Sequence, residues 1–281
     1  MKNYGEETFE TRRRRYEEKL KKLTMMSDMF ARNVLKDRRC CESVLRVIME
    51  DRNLTVIDHN VQADYKNLHG RSVVLDCIAK DGNDRVFNVE IQQKEEGALP
   101  KRARYHLGIM DTNVLNPGEF FDELPDTYVV FVTQDDTLGH GLPIVHVDRT
   151  VRENGKEFDD GAHFIYVDSS RCDDTELGRL MHDFHCENAS DIQNKVLAER
   201  VRELKETEKG VEQMCREMEE IRHEGVEEGR LEGIETGISV GRLAEKKDTA
   251  KSLAKEGMSV EKIAQILKVD VQAVRKWLLE E

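Results

Sequence analysis

The chain has 281 residues, of which 36% are charged and 38% hydrophobic, and a net charge of −13. That length holds one domain of ordinary size with an appendage, and no stretch approaches the roughly 20 apolar residues of a membrane span. The acidic surplus excludes a uniformly basic nucleic-acid binder, because phosphate contacts need lysine and arginine gathered on one face or the acids confined to a separate segment.

Residues 1–24 form a highly charged N-terminal segment. Arg12 to Arg15 are followed at once by Glu17 and Glu18, so the run reads as the solvated part of a helix. The segment lacks the apolar run of a secretory signal. The six cysteines, Cys40, Cys41, Cys77, Cys172, Cys186 and Cys215, include no CxxC pair. Reduced thiols and a cytoplasmic location are therefore expected.

Two short helical patterns follow. Met29, Phe30, Val34 and Leu35 carry the first, and Val44, Leu45, Val47 and Ile48 carry the second around Glu42. Leu54 to Ile57 is a short apolar run, a strand or the lead into what comes next, and residues 61–70 read as polar connection.

Residues 71–94 read as a β-hairpin. Val73 to Ala79 is β-branched and apolar, and Asp81-Gly82-Asn83-Asp84 has turn chemistry. The second strand alternates, with Phe87, Val89 and Ile91 on one face and Asn88, Glu90 and Gln92 on the other. Asp76 thus interrupts an apolar strand while Glu90 stands on its partner. Two carboxylates on adjacent strands suit a hard divalent cation such as Mg²⁺, and a cation so held activates water and stabilises a phosphodiester transition state. The spacing also admits the plainer reading that Asp76 ends its strand and Glu90 is solvated.

Residues 97–115 read as a helix, with Leu99, Ala103, Leu107, Met110 and Val114 inward and Pro100 in the first turn. Lys101, Arg102 and Arg104 near its start suit a phosphate backbone or plain solvation. Thr127 to Thr133 is a continuous apolar run, as expected of a strand buried on both faces and parallel to its neighbour. Ile144 to Val147 and His163 to Val167 supply two more strands, with Asp135, Asp136, Asp159 and Asp160 in turns between them. Residues 173–186 close the domain as a helix with Leu177, Leu180, Met181 and Phe184 inward; His182, His185 and Cys186 read as its surface.

Residues 190–247 are charged and free of proline. Gly225, Gly229, Gly233, Gly237 and Gly241 recur every four residues. Each glycine costs a helix about 1 kcal/mol, yet this period lays a bare stripe along one face and lets a second helix approach. A helical arm that joins copies of the chain is expected, the alternative being a flexible linker. Residues 248–281 then read as a helix-turn-helix, with Ser259 and Asp270 as caps and Trp277 in its core. Gln272, Arg275 and Lys276 point outward from the second helix, where they suit a DNA major groove or a protein partner.

Leu75-Asp76, the turn and Glu90-Ile91-Gln92 resemble the core of the PD-(D/E)XK nuclease superfamily, and more narrowly its recombination-promoting nuclease/putative transposase family. Arg102 to Tyr105, Tyr128 to Thr133, Gly139-His140-Gly141 and Asp159 to Val167 extend the likeness across residues 25–190. The resemblance implies an α/β, restriction-endonuclease-like mixed sheet flanked by helices over residues 25–189, followed by the arm and the helix-turn-helix. It implies a metal-dependent DNA endonuclease using Mg²⁺ or Mn²⁺. Asp76, Glu90 and the Ile91 carbonyl would hold the ion, and Gln92 would position water. Glu42, from a core helix, and Arg104 with Tyr105 would be accessory. Two departures stand out. Leu75 replaces the usual proline. Gln92 replaces the motif lysine, which removes a positive charge that Lys94, two residues on and on the same face, can offer from a displaced position. The alternative is a nuclease fold without turnover that serves as a DNA-binding or self-assembly module.

Overall fold

The computed structural model describes residues 8–65, 73–93, 95–115 and 118–279. The chain divides into two compact units, Met1–Cys215 and Arg216–Glu281.

The first unit opens with helices α1 (Phe9–Lys21), α2 (Asp28–Leu35) and α3 (Arg38–Ile48). Then come strands β1 (Val56–Tyr65), β2 (Val73–Asp81) and β3 (Val86–Gln92), helix α4 (Pro100–Val114), and strands β4 (Thr127–Thr133), β5 (Ile144–Val147) and β6 (Ala162–Asp168). Helices α5 (Glu176–His185) and α6 (Lys195–Glu206) end it, with the first turns of α7 (Glu208–Lys255). The sheet runs in the order β1-β2-β3-β4-β6-β5. β1, β2 and β3 form an antiparallel meander, β3, β4 and β6 are parallel, and β5 returns antiparallel on β6.

Local chemistry explains most of these boundaries. The β2–β3 turn is closed by Asp81, whose Oδ1 accepts from the backbone of Asn83 and Arg85, both at 2.9 Å. The left-handed residue there is Asp84, at φ 63°, rather than Gly82. Pro100 starts α4, which carries the chain from β3 across to parallel β4, since parallel neighbours need such a crossover. β3 and β4 are buried almost throughout, as strands covered on both faces are. Alternate residues divide between the two faces. Val129, Phe131 and Tyr166 meet Ala103, Leu107 and Met110 of α4. On the other side the Cys77 thiol lies 3.4 Å from that of Cys41 on α3.

Two expectations are corrected. Residues 61–65 belong to β1, not to a polar connection. The compact first unit also continues past residue 189. Leu197, Val201 and Leu204 of α6 are buried, α6 packs on α3, and Lys205 donates to the carbonyls of Lys21 and Leu23. Leu197, Val201 and Leu204 are therefore the docking stripe of α6 rather than part of a free arm.

In the second unit, the end of α7 with α8 (Val260–Leu267) and α9 (Val271–Leu279) encloses a small core of Ala250, Ile263, Ala264, Val274 and Trp277. Ser259 caps α8 through the Lys262 N–H at 3.4 Å, and Asp270 caps α9 through the Gln272 N–H at 2.7 Å. Lys268 makes the turn in the left-handed region.

Candidate metal centre

β2 and β3 are paired from Lys80↔Val86 to Cys77↔Val89. One step further the two acids face each other. The Asp76 N–H donates to Glu90 Oε1 at 3.3 Å, and the Ile91 N–H donates to Asp76 Oδ2 at 3.4 Å. In a strand the N–H and C=O of one residue leave on the same edge, so the Ile91 carbonyl is directed towards β2 as well. Asp76 and Ile91 line an open cleft of about 540 Å³ with Gln92, Gly97, Arg102 and Asp28.

Glu90 is not the solvated acid that strand alternation suggests. It is 1% exposed, and Asn88 on the same face is fully buried, because α4 covers this side of β3. A buried carboxylate needs partners, and a small network supplies them. Asn88 Nδ2 donates to Glu90 Oε1 at 3.0 Å, and His106 Nδ1 lies 3.5 Å from the same oxygen. Arg102 Nε donates to His106 Nε2 at 3.2 Å. That bond makes Nε2 an acceptor, so the neutral ring carries its proton on Nδ1, towards Glu90. Arg102 Nη2 stands 3.8 Å from Glu90 Oε2.

The two acids are driven apart electrostatically. Burial pushes Asp76 up, the charges of Glu90 and Asp28 add to it, and its carboxyl comes to about 8 despite Arg32. Burial also pushes Glu90 up, but the hydrogen bond from His106, with those from Asn88 and the Asp76 N–H, holds it below the usual carboxylate range. The result is one fixed anion beside one carboxyl that holds its proton until something positive replaces it. This donor set fits a hard divalent ion: two facing carboxyl groups, a carbonyl directed the same way, and an open side for water and phosphate.

The other expected residues fall in different places. Gln92 lines the cleft, and its side chain lies over Gly97: a Cβ added there would meet Gln92 Oε1 at 1.9 Å. Lys94 lies outside the described residues. Glu42 does not reach the cleft. It accepts from the Val56 N–H at 2.9 Å and pairs with Arg46 at 2.8 Å. The helical acid at the cleft is Asp28, the first residue of α2. Arg104 and Tyr105 point away from Glu90, because the helical turn brings Arg102 and His106 onto it instead. Gln272, Arg275 and Lys276 are exposed on α9, with Arg275 Nη2 3.4 Å from Glu261. Among the described residues His182, Asp183 and Cys186 also converge. Asp183 is committed there to the backbone of Gln193 and Asn194, both at 2.8 Å.

The sequence held a signal for the missed pair. Arg102 and His106 are four residues apart, and each directly precedes a residue of the inward stripe, Ala103 or Leu107. Asp28 carried none, since it reads as an ordinary first-turn acid.

No curated protein and no solved structure matches this chain. The profile of the PD-(D/E)XK nuclease family transposases matches residues 29–224, well over half of the 281. That span contains the whole sheet, α4, Asp76 and Glu90, and the chain belongs to the PD-(D/E)XK nuclease family transposases.

Proposed function

We propose that this chain is a divalent-metal-dependent endonuclease that hydrolyses DNA phosphodiesters at the Asp76–Glu90 cleft. The observation that carries the reading is the pair itself: two adjacent carboxyl groups, Glu90 buried and held as an anion, and Asp76, raised to about 8, lining an open cleft. A structural role for Glu90 would not place a second acid against it. Asp76, Glu90 and the Ile91 carbonyl would hold Mg²⁺ or Mn²⁺, with Asp28 at the rim. Such an ion, when bound, supplies a Lewis acid and lowers the pKa of a water.

The protein's own residues do the rest. Gln92 orients the attacking water with its amide. Arg102 brings to the cleft the positive charge that the motif lysine would carry, and it faces the phosphate while its Nε holds His106. His106 and Asn88 keep Glu90 ionised and aimed. Arg104 and Tyr105, on the outer side of α4, contact the flanking backbone. Gln272, Arg275 and Lys276 of α9 contact DNA, and the glycine stripe of α7 pairs two copies of the chain.

Nicking of supercoiled plasmid in Mg²⁺ or Mn²⁺ tests this. Cleavage by wild type and none by Asp76→Ala or Glu90→Ala is the expected result. DNA binding without cleavage in either metal would replace the endonuclease by a DNA-binding module on a nuclease fold, the reading that Gln92 in place of lysine favours.

A further inference from the structure

Beside the metal centre, on the same face of the sheet, lies a second concavity of about 290 Å³, near the ~300 Å³ lower end of ligand pockets. Phe164 and Tyr166 of β6, Val147 of β5 and Leu138 form its apolar wall, and Lys101 and Arg104 of α4 stand at its rim. Neither Lys101 nor Arg104 has an ion-pair partner among the described residues. A third cation there, Arg149, is engaged with Asp160.

Two features separate this cleft from a packing gap. Tyr166 is 6% exposed, and its Oη is buried with no hydrogen-bond partner among the described residues. Buried hydroxyls are almost always paired, so an orphan in a cleft wall marks a place for a ligand's polar atom. Burial pushes this phenol up to about 12, so it remains an O–H donor. The cleft also lies in register with the metal centre. Glu90 pairs with Phe131, and Phe131 with Tyr166. Two strand spacings put Tyr166 roughly 10 Å from Glu90. The ring of His106 lies 6.0 Å from Phe131, and that of Phe131 5.5 Å from Tyr166.

An occupant must therefore be flat, apolar on its faces, polar on its edge and attached to anions. We propose that the cleft holds one unstacked nucleobase of the strand being cut, stacked on Phe164, hydrogen-bonded at its edge by Tyr166, with its flanking phosphates on Lys101 and Arg104. Aromatic stacking with an edge contact is how extruded or single-stranded bases are read. The phosphate at Asp76 and Glu90 is then cut next to a chosen base, which gives the enzyme a preference without an α9 contact. The identity of the strand rests on the endonuclease reading, but binding of a base does not.

The test is anisotropy with fluorescein-labelled tetranucleotides (dA, dC, dG and dT homopolymers) and full-length protein in EDTA. Wild type is expected to prefer one base by about 5–10-fold. Tyr166→Phe removes that preference with the fold intact, the loss lying within the roughly 2–13-fold of one neutral hydrogen bond. Arg104→Ala weakens all four tetranucleotides equally. Leu138→Trp, which fills the cleft, abolishes the discrimination. Equal affinities for all four in wild type, or a preference that survives both Tyr166→Phe and Leu138→Trp, would overturn the pocket even if plasmid is cut. Discrimination that follows Tyr166 in a protein that cuts nothing would uphold the pocket and remove the endonuclease.

Discussion

A carboxyl group that holds its proton to about pH 8 has two competing ligands, the proton and a cation, and Asp76 is such a group. The consequences have opposite signs with and without metal. Without metal, the folded protein binds this proton more tightly than the unfolded chain. The associated stability is complete below about pH 4 and is lost as pH rises towards 8. Glu90, held low, behaves the other way: its contribution is present above its ordinary range and is lost only in acid. Between pH 5 and 8 Asp76 therefore sets the slope. In EDTA, Asp76→Asn should melt higher than wild type at pH 8 and close to it at pH 4. For a unit of this size each kcal/mol is worth about 2–4 °C. With metal, affinity should strengthen by up to about tenfold per pH unit and level off near pH 8, as titration calorimetry with Mn²⁺ at stepped pH would show. A flat profile would mean that Asp76 is not a ligand. His106→Ala makes a separate point. It strips a buried anion of a main partner, so it should cost about 1.5–3 kcal/mol in thermal melts, as loss of a hydrogen bond to a charged group does. Arg102→Ala should leave the fold and DNA affinity nearly intact while lowering the cleavage rate about 10²-fold, the usual loss when one stabilising donor is removed.

At the scale of elements, the segment Glu95–Ala98 between β3 and α4 governs Gln92 through Gly97. Gly97→Ala places a methyl where the Gln92 amide now lies. The obstructing atom is the end of a flexible side chain, so the amide should swing away with little change in melting temperature. Cleavage should fall while Mn²⁺ affinity holds, an outcome that would separate the water-positioning role proposed for Gln92 from ion binding. The hairpin, β4 to β6, α4, and the caps of α8 and α9 were all legible in the sequence, since each rests on local signals: period-two alternation, a buried apolar run, Pro100, Ser259 and Asp270. The pairing of Asp76 with Glu90 was legible for the same reason, because a tight turn fixes register. What surrounds the pair was not. Whether Glu90 is solvated or sealed depends on how α4 lies over β3, a tertiary fact, and with it came Arg102 and His106 in place of Arg104 and Tyr105. Glu42 and Asp28 exchanged places likewise, since both are polar helical residues and only packing decides which one meets the cleft.

For the whole molecule, the question is how a chain of net charge −13 meets DNA. Between residues 242 and 276 there are nine lysines and arginines against five acids, so the second unit gathers positive charge around α8 and α9. If α9 contacts phosphate, affinity should fall with salt at a slope of about −0.9 for each phosphate neutralised. Arg275→Ala combined with Lys276→Ala should then flatten the slope by roughly 1 to 2, while Gln272→Ala should leave the slope alone and alter sequence preference. Arg275 is partly occupied by Glu261 at 3.4 Å, so Glu261→Gln should strengthen binding, a gain that a structural role for the pair would not produce. The glycine stripe of α7 bears on the same measurement. A Cβ added at Gly229, Gly233 or Gly237 meets nothing within 4 Å among the described residues. Alanine at all three should therefore raise helicity, each change being worth about 1 kcal/mol. If two chains pair along that stripe, the same substitutions should separate them in light scattering despite the better helix. A dimer brings two α9 helices to one DNA and steepens the salt slope beyond what one copy can give. The triple alanine variant should then lose both the dimer and the excess slope. Loss of slope with the dimer intact would place the extra phosphate contacts on the first unit instead.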